Sequence, residues 1–145
     1  MKITPLSAVG AEVTEVDVTV LTAVQDAQLK AAFAQHGLLI FRDQDLTEAD
    51  HIGLAERWGQ INTNRFFKAH ADYPQIALVD KTPDQIQNIG GDWHTDHSYD
   101  QVPALGSILV AQVLPETGGD TWFASMYRAF DQLSEGLKTL LLTLN

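Results

Sequence analysis

The sequence predicts an α+β fold, a sheet core decorated with helices. Three observations point there. Short runs with strand character are interspersed with helical stretches that carry their own start and stop residues. No strict strand–helix–strand rhythm links them, which argues against a doubly wound parallel sheet. The 145 residues, 45% hydrophobic and 19% charged, suit one domain with an ordinary core rather than a disordered chain.

Val16, Val18 and Val20 alternate with Asp17 and Thr19, the period-two pattern of a half-buried strand. Thr22 follows as an N-cap, with Gln25 at the third helical position to complete a capping box. The predicted helix carries Leu29, Ala32 and Phe33 on one face and stops at Gly37. Leu38-Leu39-Ile40-Phe41 reads as a buried strand. A second helix opens at Thr47, with Asp50 three residues on, uses Leu54, Ala55 and Trp58 as its apolar side, and stops at Gly59. Ile76-Ala77-Leu78-Val79 is another expected strand.

Residues 80–92 form a polar loop containing Pro83, Asn88 and the Gly90-Gly91 pair. Gly106 to Val113 is apolar enough for a core strand, Pro115 to Gly119 is a turn, and Thr121-Trp122-Phe123-Ala124 begins a further strand. After Ser134, Leu137, Leu140, Leu141 and Leu144 follow the spacing of an amphipathic helix. The expected core includes Leu29, Phe33, Leu54, Trp58 and Leu140. A chain finishing on an apolar helix face reads as part of a larger protein.

The formal charge is −10, from nineteen acids against nine bases. Such a surface repels nucleic acid and anionic membrane, so neither is an expected partner. No run of eighteen apolar residues is present for a membrane span, and the N-terminus lacks an apolar signal core. Without cysteine, a metal must be held by His and carboxylate, and the cytoplasm is the expected compartment. Homo-oligomerisation is left open.

The chemistry concentrates in Trp93-His94-Thr95-Asp96. In an extended segment, side chains two residues apart share a face. His94 and Asp96 would then offer one nitrogen and one oxygen to a single ion. That is two-thirds of the 2-His-1-carboxylate triad, which holds non-haem Fe(II) with positions open for cosubstrate and O2. A third ligand is not visible nearby. His97 alternates to the opposite face, where a supporting role is expected. His36 sits at a helix C-terminus, and His51 reads as a surface residue.

The ordered motifs of the chain resemble the taurine dioxygenase family of Fe(II)- and 2-oxoglutarate-dependent oxygenases, which includes herbicide-degrading aryloxyalkanoate oxygenases. The matching pieces begin with Ile3-Thr4-Pro5-Leu6, Gly10-Ala11-Glu12-Val13 and His36-Gly37-Leu38-Leu39-Ile40-Phe41-Arg42-Asp43-Gln44. Trp93-His94-Thr95-Asp96 comes next, then Pro103-Ala104-Leu105-Gly106-Ser107-Ile108-Leu109 and Leu114-Pro115-Glu116-Thr117-Gly118-Gly119-Asp120-Thr121.

The resemblance implies a double-stranded β-helix (jelly-roll) core with flanking helices, incomplete in this chain. It implies His94 and Asp96 as the first two iron ligands and Thr121 as a hydroxyl for a carboxylate of 2-oxoglutarate. The family's distal His and the Arg for 2-oxoglutarate come later in sequence and have no counterpart here. Residues 1–145 are therefore expected to be the N-terminal part of a single dioxygenase domain, inactive when isolated. The implied reaction consumes 2-oxoglutarate and O2, releases succinate and CO2, and hydroxylates a small organic substrate.

In taurine-specific members an Asn four residues before the first ligand His contacts substrate; here that place is Gly90. Their substrate-binding His falls near Asn64 by register. The loop from Asn62 to His70, with Arg65, Phe66 and Phe67, is a candidate pocket wall for an anionic or aromatic substrate. The substrate candidates are thus Asn64, Arg65, Phe67 and Gly90. Two alternatives stand beside this reading. One is a non-catalytic truncated fragment of such an enzyme. The other is a zinc metallohydrolase, because Asp92-Trp93-His94-Thr95-Asp96-His97 nearly spells His-x-His-x-Asp-His.

Overall fold

The computed structural model describes residues 1–82, 84–87 and 89–144. Pro83 and Asn88 of the expected loop, and Asn145, lie outside the described residues. The chain divides into two units, one of residues 1–16, 22–43 and 114–145, the other of residues 17–21 and 44–113. Among the described residues the architecture is mixed α and β with two small sheets.

In the first unit, β1 (Lys2–Pro5) pairs antiparallel with β2 (Ala11–Thr14), setting Ile3 opposite Val13. β2 pairs parallel with β3 (Leu39–Phe41), so β2 is the central strand. Ala11 and Val13 are fully buried while Glu12 and Thr14 are half-buried, the alternation a pleated strand imposes. Parallel neighbours need a long crossover. Here α1 (Ala23–His36) lies within it.

The capping box at Thr22 forms as expected. The Gln25 amide donates to Thr22 Oγ1, and the Thr22 amide donates to Gln25 Oε1 at 3.0 Å. Gly37 ends the helix at φ 72°, a left-handed conformation that favours glycine, and its amide donates to the Phe33 carbonyl. Leu29 and Ala32 are buried and Phe33 is half-buried. Full burial of a side chain like Leu29 contributes about 1.5–3 kcal/mol.

The expected strand over Val16–Val20 is corrected in the second unit to a 3-10 turn at Val18–Val20. The reason is local. The Asp17 carboxylate accepts from the Thr19 hydroxyl at 2.7 Å and the Thr19 amide at 2.9 Å, bonds that compete with a strand ladder. Val18 turns inward and Val20 outward. The turn packs against α2 (Glu48–Glu56), and the Val18 amide donates to Gln44 Oε1. Thr47 and Asp50 form the second capping box. The helix ends at Glu56, before the expected Gly59, with Leu54 buried and Trp58 half-buried.

The expected strand at Ile76–Val79 shortens to β5 (Ala77–Leu78), paired with β4 (Lys68–Ala69). Beyond it the expectations diverge from the structure. Gly106–Val113 and Thr121–Ala124 form no strand. In the first unit, α3 (Met126–Asp131), which the hydrophobic pattern did not announce, is capped by Ser125. α4 (Glu135–Leu141) starts at Ser134 as expected. Leu140, expected in the core, is 56% exposed. Caps are local contacts that a helix makes by itself, whereas burial needs an opposing surface.

Candidate metal centre

His94 and Asp96 lie on irregular backbone in the second unit. Their side chains converge, with His94 Nε2 3.4 Å from Asp96 Oδ1. His94 Nδ1 lies 2.8 Å from the Asp92 carbonyl oxygen. A carbonyl only accepts, so Nδ1 carries the hydrogen, and Nε2 of the neutral ring presents a lone pair. A lone pair facing a carboxylate oxygen is unfavourable unless a proton or cation lies between them. A backbone carbonyl on the far nitrogen is also the support that metal-ligating imidazoles commonly use.

The other carboxylate oxygen is engaged. Ser107 Oγ donates to Asp96 Oδ2 at 3.1 Å. In the sequence Ser107 stands only as one member of the Pro103–Leu109 motif, and its hydroxyl gains a partner when the fold brings it to Asp96. Gly90 stands behind the imidazole at φ 65°, and an added Cβ would come 3.1 Å from His94 Cε1. A side chain there would be strained and would press on the ring. The His94 and Asp96 side chains are 56% and 61% exposed. Their nitrogen and oxygen donors fit two positions of a divalent-ion site. Among the described residues no group of three or more His, Cys, Asp or Glu gathers.

A second polar cluster ties the 64–67 loop to the residues after Asp96. His97, at φ 48°, sets Nδ1 3.3 Å from Asp100 Oδ2, and its Nε2 lies 3.4 Å from Asn64 Nδ2. Asn64 Oδ1 accepts from the amides of Phe66 and Phe67. Arg65 Nη2 pairs with Asp100 Oδ1 at 3.0 Å, and its guanidinium carbon lies 5.3 Å from the centre of the Phe66 ring. Asp100 therefore takes Arg65 on one oxygen and His97 on the other. Both ring nitrogens of His97 are thus in polar contact, with Asp100 on one side and Asn64 on the other.

Of the remaining candidates, Phe67 is 37% exposed. Thr121 is exposed on irregular backbone in the first unit, after Gly118 and Gly119, both at positive φ. His51, read as a surface residue, is half-buried with Nε2 3.1 Å from the Ile108 carbonyl oxygen. A cleft of about 400 Å³ bordered by Met1, Ile3, Gln28 and His36 holds none of the candidate site residues. No helix among the described residues is long and apolar enough to cross a membrane.

The family described as "Taurine catabolism dioxygenase TauD, TfdA family" matches residues 2–145. The (S)-phenoxypropionate/alpha-ketoglutarate-dioxygenase of Sphingobium herbicidovorans is 35% identical over 146 residues, covering 98% of this chain and 51% of that protein. An alpha-ketoglutarate-dependent sulfonate dioxygenase of Saccharomyces cerevisiae is 28% identical, covering 99% of this chain and 37% of that one. Among solved structures, a taurine dioxygenase from Burkholderia xenovorans superposes with a TM-score of 0.75 at 25% identity, over 97% of this chain and 50% of that one. The chain spans about half the length of the first of these relatives.

Proposed function

The chain belongs to the taurine catabolism dioxygenase family, and from that premise we propose that it serves an Fe(II)- and 2-oxoglutarate-dependent dioxygenase acting on a small organic anion. The observation that carries the reading is the convergence of His94 Nε2 and Asp96 Oδ1, with the imidazole locked from behind by the Asp92 carbonyl. These two side chains would hold the metal. The Thr121 hydroxyl, assigned from its Gly-Gly-Asp-Thr motif, would take a carboxylate of 2-oxoglutarate. When bound, iron and 2-oxoglutarate supply the O2 activation that protein side chains lack.

The chain's own residues orient and hold. Asp92 sets the tautomer of His94, and Ser107 occupies the second oxygen of Asp96. Asn64, Arg65, Phe67 and Gly90 are assigned to the substrate side. The phenoxypropionate and sulfonate relatives act on anions, which favours an anionic substrate for this chain as well. We assign residues 1–145 to one dioxygenase domain, built on the double-stranded β-helix expected of the family.

A second reading is favoured by the exposure of the metal pair, 56% and 61%, which leaves both donors in competition with water. In that reading these 145 residues alone bind metal weakly and do not turn over. One experiment separates the two. Fe(II) and 2-oxoglutarate are added to the protein under nitrogen, followed by O2 with an aryloxypropionate or an alkyl sulfonate. Succinate released in step with O2 uptake and substrate hydroxylation supports the dioxygenase, and His94→Ala and Asp96→Ala should abolish it. Metal binding lost in both variants, without succinate, supports the second reading. Metal binding indifferent to both substitutions overturns the assignment of the site.

A further inference from the structure

We propose that Ser107 is a positioning residue for the Asp96 carboxylate, held in place by His51 through the Ile108 backbone. The inference deepens the metal-site reading and rests on it. Asp96 is exposed, and the terminal torsion of an Asp side chain is broad. Left alone, the carboxylate plane would turn freely and the direction of the oxygen facing His94 would be poorly defined. The Ser107 hydroxyl donates to Oδ2, leaving Oδ1 on the His94 side. One oxygen is thereby tied to the protein and the other kept for the ion.

A positioning residue must itself be held. Residues 106–110 pair with no strand, so no sheet ladder supplies the register. The support comes from α2. His51 Nε2 lies 3.1 Å from the Ile108 carbonyl oxygen, 57 residues away in sequence, in a part-buried contact. The carbonyl only accepts, so Nε2–H donates. His51 sits one turn inside a helix whose start is closed by the Thr47–Asp50 box. The order of support runs from α2 to Ile108, to the adjacent Ser107, to Asp96.

The test is Co(II) titration of the whole chain, followed by its visible absorption bands, in Ser107→Thr and Ser107→Val. These variants match in shape and differ in the hydroxyl, and far-UV circular dichroism checks that both fold. Ser107→Val should weaken Co(II) binding about tenfold and alter the band shape, the low end of what losing a ligand's supporting partner costs. Ser107→Thr should stay near the native affinity and spectrum. His51→Phe should shift affinity in the same direction by less, and His51→Gln should restore part of it. Equal affinity and spectra for the Thr and Val variants, with binding still lost in Asp96→Ala, would overturn the role of Ser107 and leave the ligand reading standing. Binding unaffected by Asp96→Ala, or absent in the native chain, would overturn the ligand reading and this inference together.

Discussion

The α1 layer of the first unit and the His94–Ser107 segment of the second are held by different physics. Around α1, apolar contact dominates: Leu29 is 1% exposed, and Ala11 and Val13 of β2 are fully buried. Around His94 the named contacts are hydrogen bonds and an imidazole–carboxylate approach, and the two key side chains are more than half exposed. Burial is strong and non-directional, so it seats a helix without aiming any atom. Hydrogen bonds are weaker in net terms but directional, so they aim donors without supplying much stability. The comparison predicts that mutations in the two regions separate stability from metal affinity.

Leu29→Ala should show the largest effect, a loss of about 2–5 kcal/mol in denaturant unfolding. Metal affinity of the folded fraction should stay unchanged. A loss well below that range would mean that the α1 layer is not held by burial.

Gly90→Ala should instead lower both stability and Co(II) binding. Its left-handed backbone costs about 1–2 kcal/mol for an alanine. The new methyl would also press on His94 Cε1, so Co(II) binding should weaken by more than the stability loss explains. Unchanged Co(II) affinity in a folded Gly90→Ala protein would break the comparison on the metal side.

Thr22→Ala should cost about 1 kcal/mol through loss of the N-cap, read by thermal unfolding, with no change in the His94–Asp96 approach or in Co(II) binding.

The smallest effect is in pH. The Thr19 hydroxyl, then the Thr19 amide, hold the Asp17 carboxyl below its ordinary value of 3.8. Its contribution is fully present above that value and fades as pH falls through the lowered one. Native protein and Asp17→Asn should therefore differ slightly and constantly at pH 5 to 8, with the difference shrinking only below about 3.8. A difference that varied between pH 5 and 8 would assign the effect to another group.

The helices were the most legible part of the fold. Thr22 with Gln25, and Thr47 with Asp50, announce both starts because a capping box is made within four residues. Leu38–Phe41 was legible as a strand from its apolar run, and β3 forms within it. β1 and β2 did not stand out as strands, because four residues ending at Pro5 or starting beside Gly10 show too little alternation. Val16–Val20 misled because its period was right and the local capture by Asp17 overrode it. At the site, His94 and Asp96 were legible as a pair of donors. Ser107 and His51 were not, because their roles depend on partners 11 and 57 residues away.

Local chemistry in the sequence by itself determined where helices begin, which donors are available to a metal, and to which family the motifs point. Such signals act over a few bonds or a single turn and do not wait for the rest of the chain. Tertiary structure alone decided which apolar faces are covered and how the Asp96 carboxylate is turned toward His94. Those outcomes need surfaces and hydrogen-bond partners brought from far along the chain, and no local pattern encodes the meeting.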